Sequence, residues 1–167
     1  MSFPRKEYSE SKPKNKLDPK TAKLKIAAFC AYQERCQQEV RSKLYDYGLY
    51  SDEVEDLLAV MITEGFLNEE RYAKAFVRGK FGLKKWGRIK IAMELKQRKI
   101  SENCIKIGFR EIDPEAYTAT LKSLVENKWN QLKDQDLFIR KMKVQRFLMS
   151  KGYEQDLIAE QIAGFKL

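Results

Sequence analysis

Apolar side chains recur at helical spacing from about residue 17 to the end of the chain. No run alternates apolar and polar residues for long enough to indicate a sheet, and residues 20–113 contain no proline. Because positions three and four residues apart lie on one face of a helix, the pattern predicts an all-α fold. The recurrence is plain in two stretches, which contain Tyr72, Ala73, Phe76 and Val77, and Ile89, Ala92 and Leu95.

Local chemistry predicts where several helices begin and end. Asp18-Pro19 and Asp113-Pro114 are each typical of an N-cap followed by proline at the first helical position, where its missing N–H is not needed. Asn68 is predicted to cap another helix. The longer helices are expected over 19–33, 68–82 and 113–132, and left-handed C-terminal glycines are expected at Gly48, Gly65 and Gly152.

An acidic group follows Ser51, at positions 52, 53, 55 and 56. Clustered carboxylates can serve acid–base or metal chemistry. They are also favoured at a helix N-terminus, where they interact with the helix dipole. We interpret this group as the start of a helix at Ser51, which uses the carboxylates without any catalytic role.

A repeat of about fifty residues organises the chain. Three leucines, Leu44, Leu95 and Leu148, each end a helical stretch, and each is followed by a short turn and a second apolar stretch. A longer helix precedes each pair, so the sequence predicts three tandem three-helix repeats that stack into an elongated, curved body. The predicted division is a disordered basic tail over 1–17 and repeats over 18–65, 66–112 and 113–167.

Charge and composition restrict the function. The 167 residues have a net charge of +9 and include no histidine. The missing histidine excludes Ser-His-Asp, Cys-His and His-metal chemistries, and the positive charge indicates a polyanionic partner such as nucleic acid or a nucleoprotein. Residues 66–112 alone carry a net charge of +8, whereas residues 21–65 carry −3. We therefore expect no enzyme, no cofactor and no metal site.

The cell compartment is predicted from cysteines and apolar runs. The three cysteines form no CxxC pair, as expected of idle thiols in a reducing cytoplasm. The longest uncharged run in the predicted helical part is eight residues, Ile26 to Gln33, which is far short of the ~20 needed to span a bilayer. The N-terminus has no apolar core typical of a secretory signal. We expect a cytoplasmic monomer without a membrane partner.

The middle repeat holds the main candidate contact surface. Between Arg71 and Met93 there are eight basic residues and no acidic one. Glycines at 79, 82 and 87 are expected to loosen the junction between two helices there, and Trp86 lies among the cations. The tryptophan is expected either to contact a partner or to pack inside its repeat, and its position in the sequence leaves both open. The candidate residues are Arg78, Lys80, Lys84, Lys85, Trp86, Arg88 and Lys90.

A second basic stripe is predicted in the third repeat. Arg140, Lys143 and Arg146 share one face of a helix, so three cations can lie in a row. A solvated helix face would have the same pattern. Two basic stripes on successive repeats suit the binding of an extended anion.

Four motifs follow one another along the chain: Glu39 to Leu44, Gly65 to Phe76, Trp86 to Leu95 and Arg146 to Tyr153. Taken in this order, they resemble the RecX family of bacterial regulators of the RecA recombinase. The resemblance covers roughly residues 22–163. Lys99 stands where the family's turn usually has glycine, and Cys36 stands where a serine often caps the helix.

The resemblance implies a non-enzymatic protein that binds RecA and its filament on single-stranded DNA. Family members restrain recombination, ATP hydrolysis and co-protease action, so roles in DNA repair, homologous recombination and the SOS response are implied. The contact surface would be the two basic clusters. The alternative from the residues alone is a helical nucleic-acid-binding protein that acts directly on DNA or RNA.

Overall fold

The structure is a computed structural model and describes residues 15–165. Over that range the regular elements are all helices, as the sequence predicts. Two compact units are present, one ending at Leu67 and one beginning at Asn68. The helices are α1 (Pro19–Tyr32), α2 (Gln37–Asp46), α3 (Ser51–Thr63), α4 (Glu69–Gly82), α5 (Arg88–Gln97), α6 (Glu102–Phe109), α7 (Pro114–Gln131), α8 (Leu137–Lys151) and α9 (Gln155–Ala163).

Most predicted helix starts are confirmed by side chains that accept hydrogen bonds from backbone amides. The Asp18 carboxylate accepts from Thr21 N–H at 3.2 Å, and the Asn68 side chain accepts from Arg71 N–H at 2.8 Å. The Asp113 carboxylate caps α7 in the same way. The hydrogen bonds to Thr21 lower the pKa of Asp18, because they favour the charged carboxylate.

α3 begins at Ser51, as predicted, but Ser51 is its first helical residue and not its cap. The N-cap of α3 is Tyr50, whose backbone N–H donates to the Glu53 carboxylate at 2.8 Å. The Lys16 ammonium lies 2.9 Å from the same carboxylate, and these contacts lower the pKa of Glu53. The acidic group therefore does act at a helix start, with Glu53 in the capping position.

The predicted left-handed turns are confirmed. Gly48, Gly65 and Gly152 have φ of 80°, 80° and 93°. Lys99, where the family usually has glycine, adopts φ of 61°. Because a Cβ is disfavoured in this region, the lysine is held there at a cost of about 1 kcal/mol.

The first compact unit has a core made by α1, α2 and α3. Ile26, Val40, Leu44 and Met61 are fully buried in it. Leu17 packs against this core and its N–H donates to the Tyr47 carbonyl at 2.9 Å. Residues 1–14 of the predicted tail lie outside the described residues.

The second compact unit contains α4 to α9. Its buried side chains include Val77 and Leu95 from α4 and α5, and Tyr117 and Leu148 from α7 and α8. None of the helices in residues 15–165 is long and apolar enough to cross a membrane. The division into three repeats at residues 66 and 113 stays a prediction.

Candidate functional site

The connection between α4 and α5 is held by hydrogen bonds. Gly79 and Gly82 lie inside α4. The Lys85 N–H donates to the Phe81 carbonyl, and the Trp86 N–H donates to the Lys80 carbonyl, each at 3.1 Å. Lys85 adopts φ of 57° at this turn. The backbone of the connection is therefore hydrogen-bonded, and the flexibility expected from three glycines stays a prediction.

Gly87 is required for a close backbone approach. Its N–H donates to the Lys151 carbonyl at 2.8 Å, and the Ile89 N–H donates to the Gly152 carbonyl at 3.0 Å. A Cβ on Gly87 would overlap the carbonyl of Gly152, and a Cβ on Gly152 would overlap Lys90. The start of α5 is thus joined directly to the end of α8, which makes this side of the unit rigid.

Trp86 is half-buried and lies between two lysines. The Lys80 ammonium is 4.8 Å from the centre of a Trp86 ring, and the Lys90 ammonium is 4.4 Å from it. Such contacts are attractive because the face of an aromatic ring is electron-rich. The tryptophan therefore holds two cations close together. Because it is half-buried, contact with a partner and packing inside its repeat both stay open as roles.

Arg88 is committed to contacts within the protein. Its guanidinium lies 3.9 Å from the Tyr117 ring centre and 3.4 Å from the Glu154 carboxylate. The Tyr117 hydroxyl donates to Glu154 at 2.6 Å and accepts from the Arg88 N–H at 3.1 Å. Burial and the bond to Glu154 raise the pKa of Tyr117 above its ordinary value. Arg88 thus joins α5 to α7 and α9, and its charge is balanced by Glu154.

Lys84 and Lys85 are exposed while their backbone is held. The Lys84 carbonyl accepts from the Lys151 ammonium at 3.1 Å, and the Lys85 carbonyl accepts from the Tyr153 hydroxyl at 2.9 Å. Fixing the backbone reduces the entropy lost when these side chains bind a partner. Arg78, in contrast, forms an ion pair with Glu111 at 3.0 Å.

The three cations predicted on α8 differ in their surroundings. The Arg140 guanidinium lies 4.0 Å from the Trp129 ring centre and donates to the Trp129 carbonyl at 2.9 Å. Lys143 donates to the Gln135 side chain at 3.1 Å. Arg146 is exposed, and no ion pair holds it within residues 15–165. Arg140 is therefore a packing residue, whereas Arg146 faces solvent.

The first predicted basic cluster is bonded to α8, the helix that holds the second. The contact is made by Lys151, whose ammonium donates to the Lys84 carbonyl at 3.1 Å. Sequence reasoning missed Lys151, Tyr153 and Glu154, because their partners lie between 37 and 68 positions away in the chain. The apolar turn containing Gly152 and Tyr153 was the only local signal.

The site presents exposed cations. Three backbone N–H groups at the start of α5 are already used by Lys151, Tyr117 and Gly152. An anion would therefore bind to lysine and arginine side chains and not to the helix N-terminus. In the part of the chain that the structure describes, no group of three acidic or cysteine side chains could hold a metal.

Comparison with protein families identifies both repeats that build this site. Residues 68–107 match the second three-helix domain of RecX, and residues 115–162 match its third three-helix domain. The two matches together cover more than half of the chain. The chain belongs to the RecX family. This confirms the family that the sequence motifs resemble, and the tandem three-helix organisation with it.

Several curated relatives carry the name regulatory protein RecX. The protein from Clostridium perfringens strain 13 is 32% identical over 124 residues, which cover 73% of this chain and 58% of the relative. The chain thus spans less than two thirds of that relative's length. The protein from Prosthecochloris aestuarii is 24% identical over 147 residues, which cover 87% of this chain and 93% of the relative.

Solved RecX structures have the same fold. The crystal structure of RecX from Lactobacillus salivarius superposes with a TM-score of 0.76 at 20% identity and covers 87% of this chain and 95% of that chain. A second crystal structure, of a regulatory protein RecX, gives a TM-score of 0.79 at 23% identity, with 88% and 72% covered. At this identity the likeness establishes the fold alone.

Proposed function

We propose that this RecX-family chain binds the RecA recombinase and its filament on single-stranded DNA and inhibits recombination, ATP hydrolysis and co-protease action in DNA repair. One observation carries the proposal: the whole net positive charge lies in the part matched by the RecX models. Residues 1–67 contain 11 basic and 11 acidic residues, whereas residues 68–167 contain 22 and 13. A charge concentrated in one unit suits a polyanionic filament.

The contact surface in this proposal has two layers. Lys84, Lys85 and Arg146 are exposed and would contact the filament directly. Lys80 and Lys90, held on Trp86, would add two neighbouring cations. Arg78 and Lys143 are also exposed and would add to this contact, although each has a partner on the protein surface. Arg88 and Arg140 are half-buried against other side chains and would support the surface.

Such a protein would act by occupying a surface, without enzymatic activity or a cofactor, and its place of action would be the cytoplasm. The alternative is direct binding to DNA or RNA without RecA. Exposed Lys84 and Lys85 on a rigid backbone favour this alternative as well, because two fixed cations can neutralise phosphates of either ligand.

ATP hydrolysis by the cognate RecA on single-stranded DNA separates the two functions. The protein is titrated into preassembled filaments while the hydrolysis rate is followed. We expect the rate to fall at amounts well below one molecule per RecA subunit. An unchanged rate, together with tight binding to naked single-stranded DNA, would favour the alternative. If the hydrolysis rate rises, RecA is still the partner, but the protein activates it instead of inhibiting it.

A further inference from the structure

One face of α8 exposes apolar side chains to solvent. Phe138, Met142 and Met149 are 70%, 37% and 44% exposed. They are spaced by four and seven residues, so they form one row along the helix, opposite the buried Val144 and Leu148. We call these three residues the α8 face. Nothing in residues 15–165 covers it.

The chemistry of the α8 face indicates a protein partner. Two of its three side chains are methionines, which adapt to irregular apolar surfaces, and an aromatic ring with methionine is typical of interface cores. Binding of nucleic acid uses aromatic rings for stacking and cations for phosphates, and methionine supplies neither. The row extends over eleven residues, about 16 Å, which matches three turns of a partner helix.

The charges beside the α8 face restrict the class of partner protein further. The helix contains five basic residues and no acidic one. Lys141 and Arg146 border the α8 face on its two sides, as the helical positions of these residues require. A second copy of this chain, packed face to face through α8, would bring these cations against their equivalents, so self-association is disfavoured. An acidic border on the partner would instead form ion pairs.

We propose that the α8 face docks an amphipathic helix of the partner protein, with apolar residues in the centre and carboxylates on both sides. The inference rests on the proposed function and assigns separate surfaces to its two components. The α8 face would contact RecA protein, whereas Lys84 and Lys85 would contact phosphates of the DNA.

The test compares binding to RecA filaments with binding to naked single-stranded DNA of the same length. We expect Phe138→Ser with Met142→Gln to weaken filament binding about tenfold or more, as loss of an aromatic interface anchor does. Affinity for naked DNA should be unchanged. The matched control is Leu24→Gln with Tyr32→Ser, which removes exposed apolar side chains from α1 and should leave both affinities unchanged.

Each other outcome overturns the inference in a recognisable way. If the α8 variant binds filaments normally, the α8 face is not a contact with RecA, and the proposed function is unaffected. Equal loss of naked DNA binding would make the face a nucleobase contact. If the wild-type protein self-associates and the α8 variant does not, while filament binding is unchanged, the α8 face is instead a contact between copies of this chain. Wild-type protein that fails to bind filaments would overturn the proposed function and this inference together. Met149→Gln alone repeats the test if the double variant does not fold.

Discussion

Arginine and lysine have different roles in the second compact unit. Arg78 and Arg88 form ion pairs with glutamates, and Arg140 lies on the ring of Trp129. Lys84 and Lys85 are exposed. The difference follows from the side chains, since a planar guanidinium stacks on rings and pairs with carboxylates, whereas an ammonium is more strongly hydrated. Arg88 and Arg140 therefore stabilise the fold, whereas Lys84 and Lys85 keep their charge in solvent.

The glycines of the same region also differ. Gly87 is buried where α5 begins, and a Cβ there would overlap the backbone at Gly152. Gly79, within α4, has open space around the position of a Cβ. One glycine is thus required by packing, and the other only weakens a helix.

Alanine substitutions at these glycines should have opposite effects on stability. Gly87→Ala should lower the free energy of unfolding by about 1–3 kcal/mol, because the backbone must move apart to accept the methyl group. Gly79→Ala should raise it by about 0.5–1 kcal/mol, because alanine loses less entropy in a helix. Chemical denaturation of both variants measures the two changes. Equal effects at the two positions would contradict the close approach at Gly87.

The helix ends could be predicted from sequence because capping is local. Asp18, Asn68 and Asp113 each bond an amide three residues away, so the pattern contains both partners. The contact of Gly87 with Gly152 joins residues sixty-five positions apart and leaves no local signal. The sequence therefore predicts flexibility at a junction where Gly87 permits close packing.

At the level of helices, two buried tyrosines hold α5, α7 and the end of α8 together. The rings of Tyr117 and Tyr153 lie 5.2 Å apart. Tyr117 bonds Glu154 and the Arg88 amide, and Tyr153 bonds the Lys85 carbonyl. Burial raises the pKa of both hydroxyls above the ordinary value of about 10. Ionisation of either tyrosine must therefore disrupt these contacts.

Alkaline titration should show this coupling. A raised pKa in the folded state means that the stabilisation is complete below about pH 10 and is lost as the pH rises above it. Burial also raises the pKa of Tyr47, so we expect Tyr117 and Tyr153 to ionise later than it and later than most of the eight tyrosines, in step with the loss of helical circular dichroism. Tyrosinate absorbance and circular dichroism are followed in the same titration.

Two comparisons make that titration specific. Tyr117→Phe with Tyr153→Phe should remove the late phase. In strong denaturant, where burial is lost, all eight tyrosines should ionise together. A native protein whose tyrosines ionise in one phase, with its helical signal unchanged, would contradict the assigned role.

For the whole molecule, the sequence predicts how charge is distributed along the chain, but it does not predict which cations are exposed. The sequence alone predicts a basic middle repeat, since charge can be counted along the chain. Which cations reach solvent depends on tertiary partners such as Glu154 and Trp129. Arg88 and Arg140 are half-buried against these partners, whereas Arg78 stays exposed beside Glu111, so the exposed set is smaller than the candidate set.

Salt dependence should show that location of charge matters more than its total. Lys84→Glu with Lys85→Glu should weaken binding to single-stranded DNA, alone or in filaments, about tenfold or more. It should also reduce the slope of log affinity against log salt by roughly 1.4, since each lost phosphate contact removes about 0.7. Lys20→Glu with Lys25→Glu changes the net charge equally, at exposed positions on α1, and is the matched control. If both pairs reduced the slope equally, binding would depend on net charge alone, and the surface at Lys84 and Lys85 would have no special role. We expect the slope to change only for the pair at Lys84 and Lys85, because the hydrogen bonds from Lys151 and Tyr153 hold that backbone in place before the partner arrives.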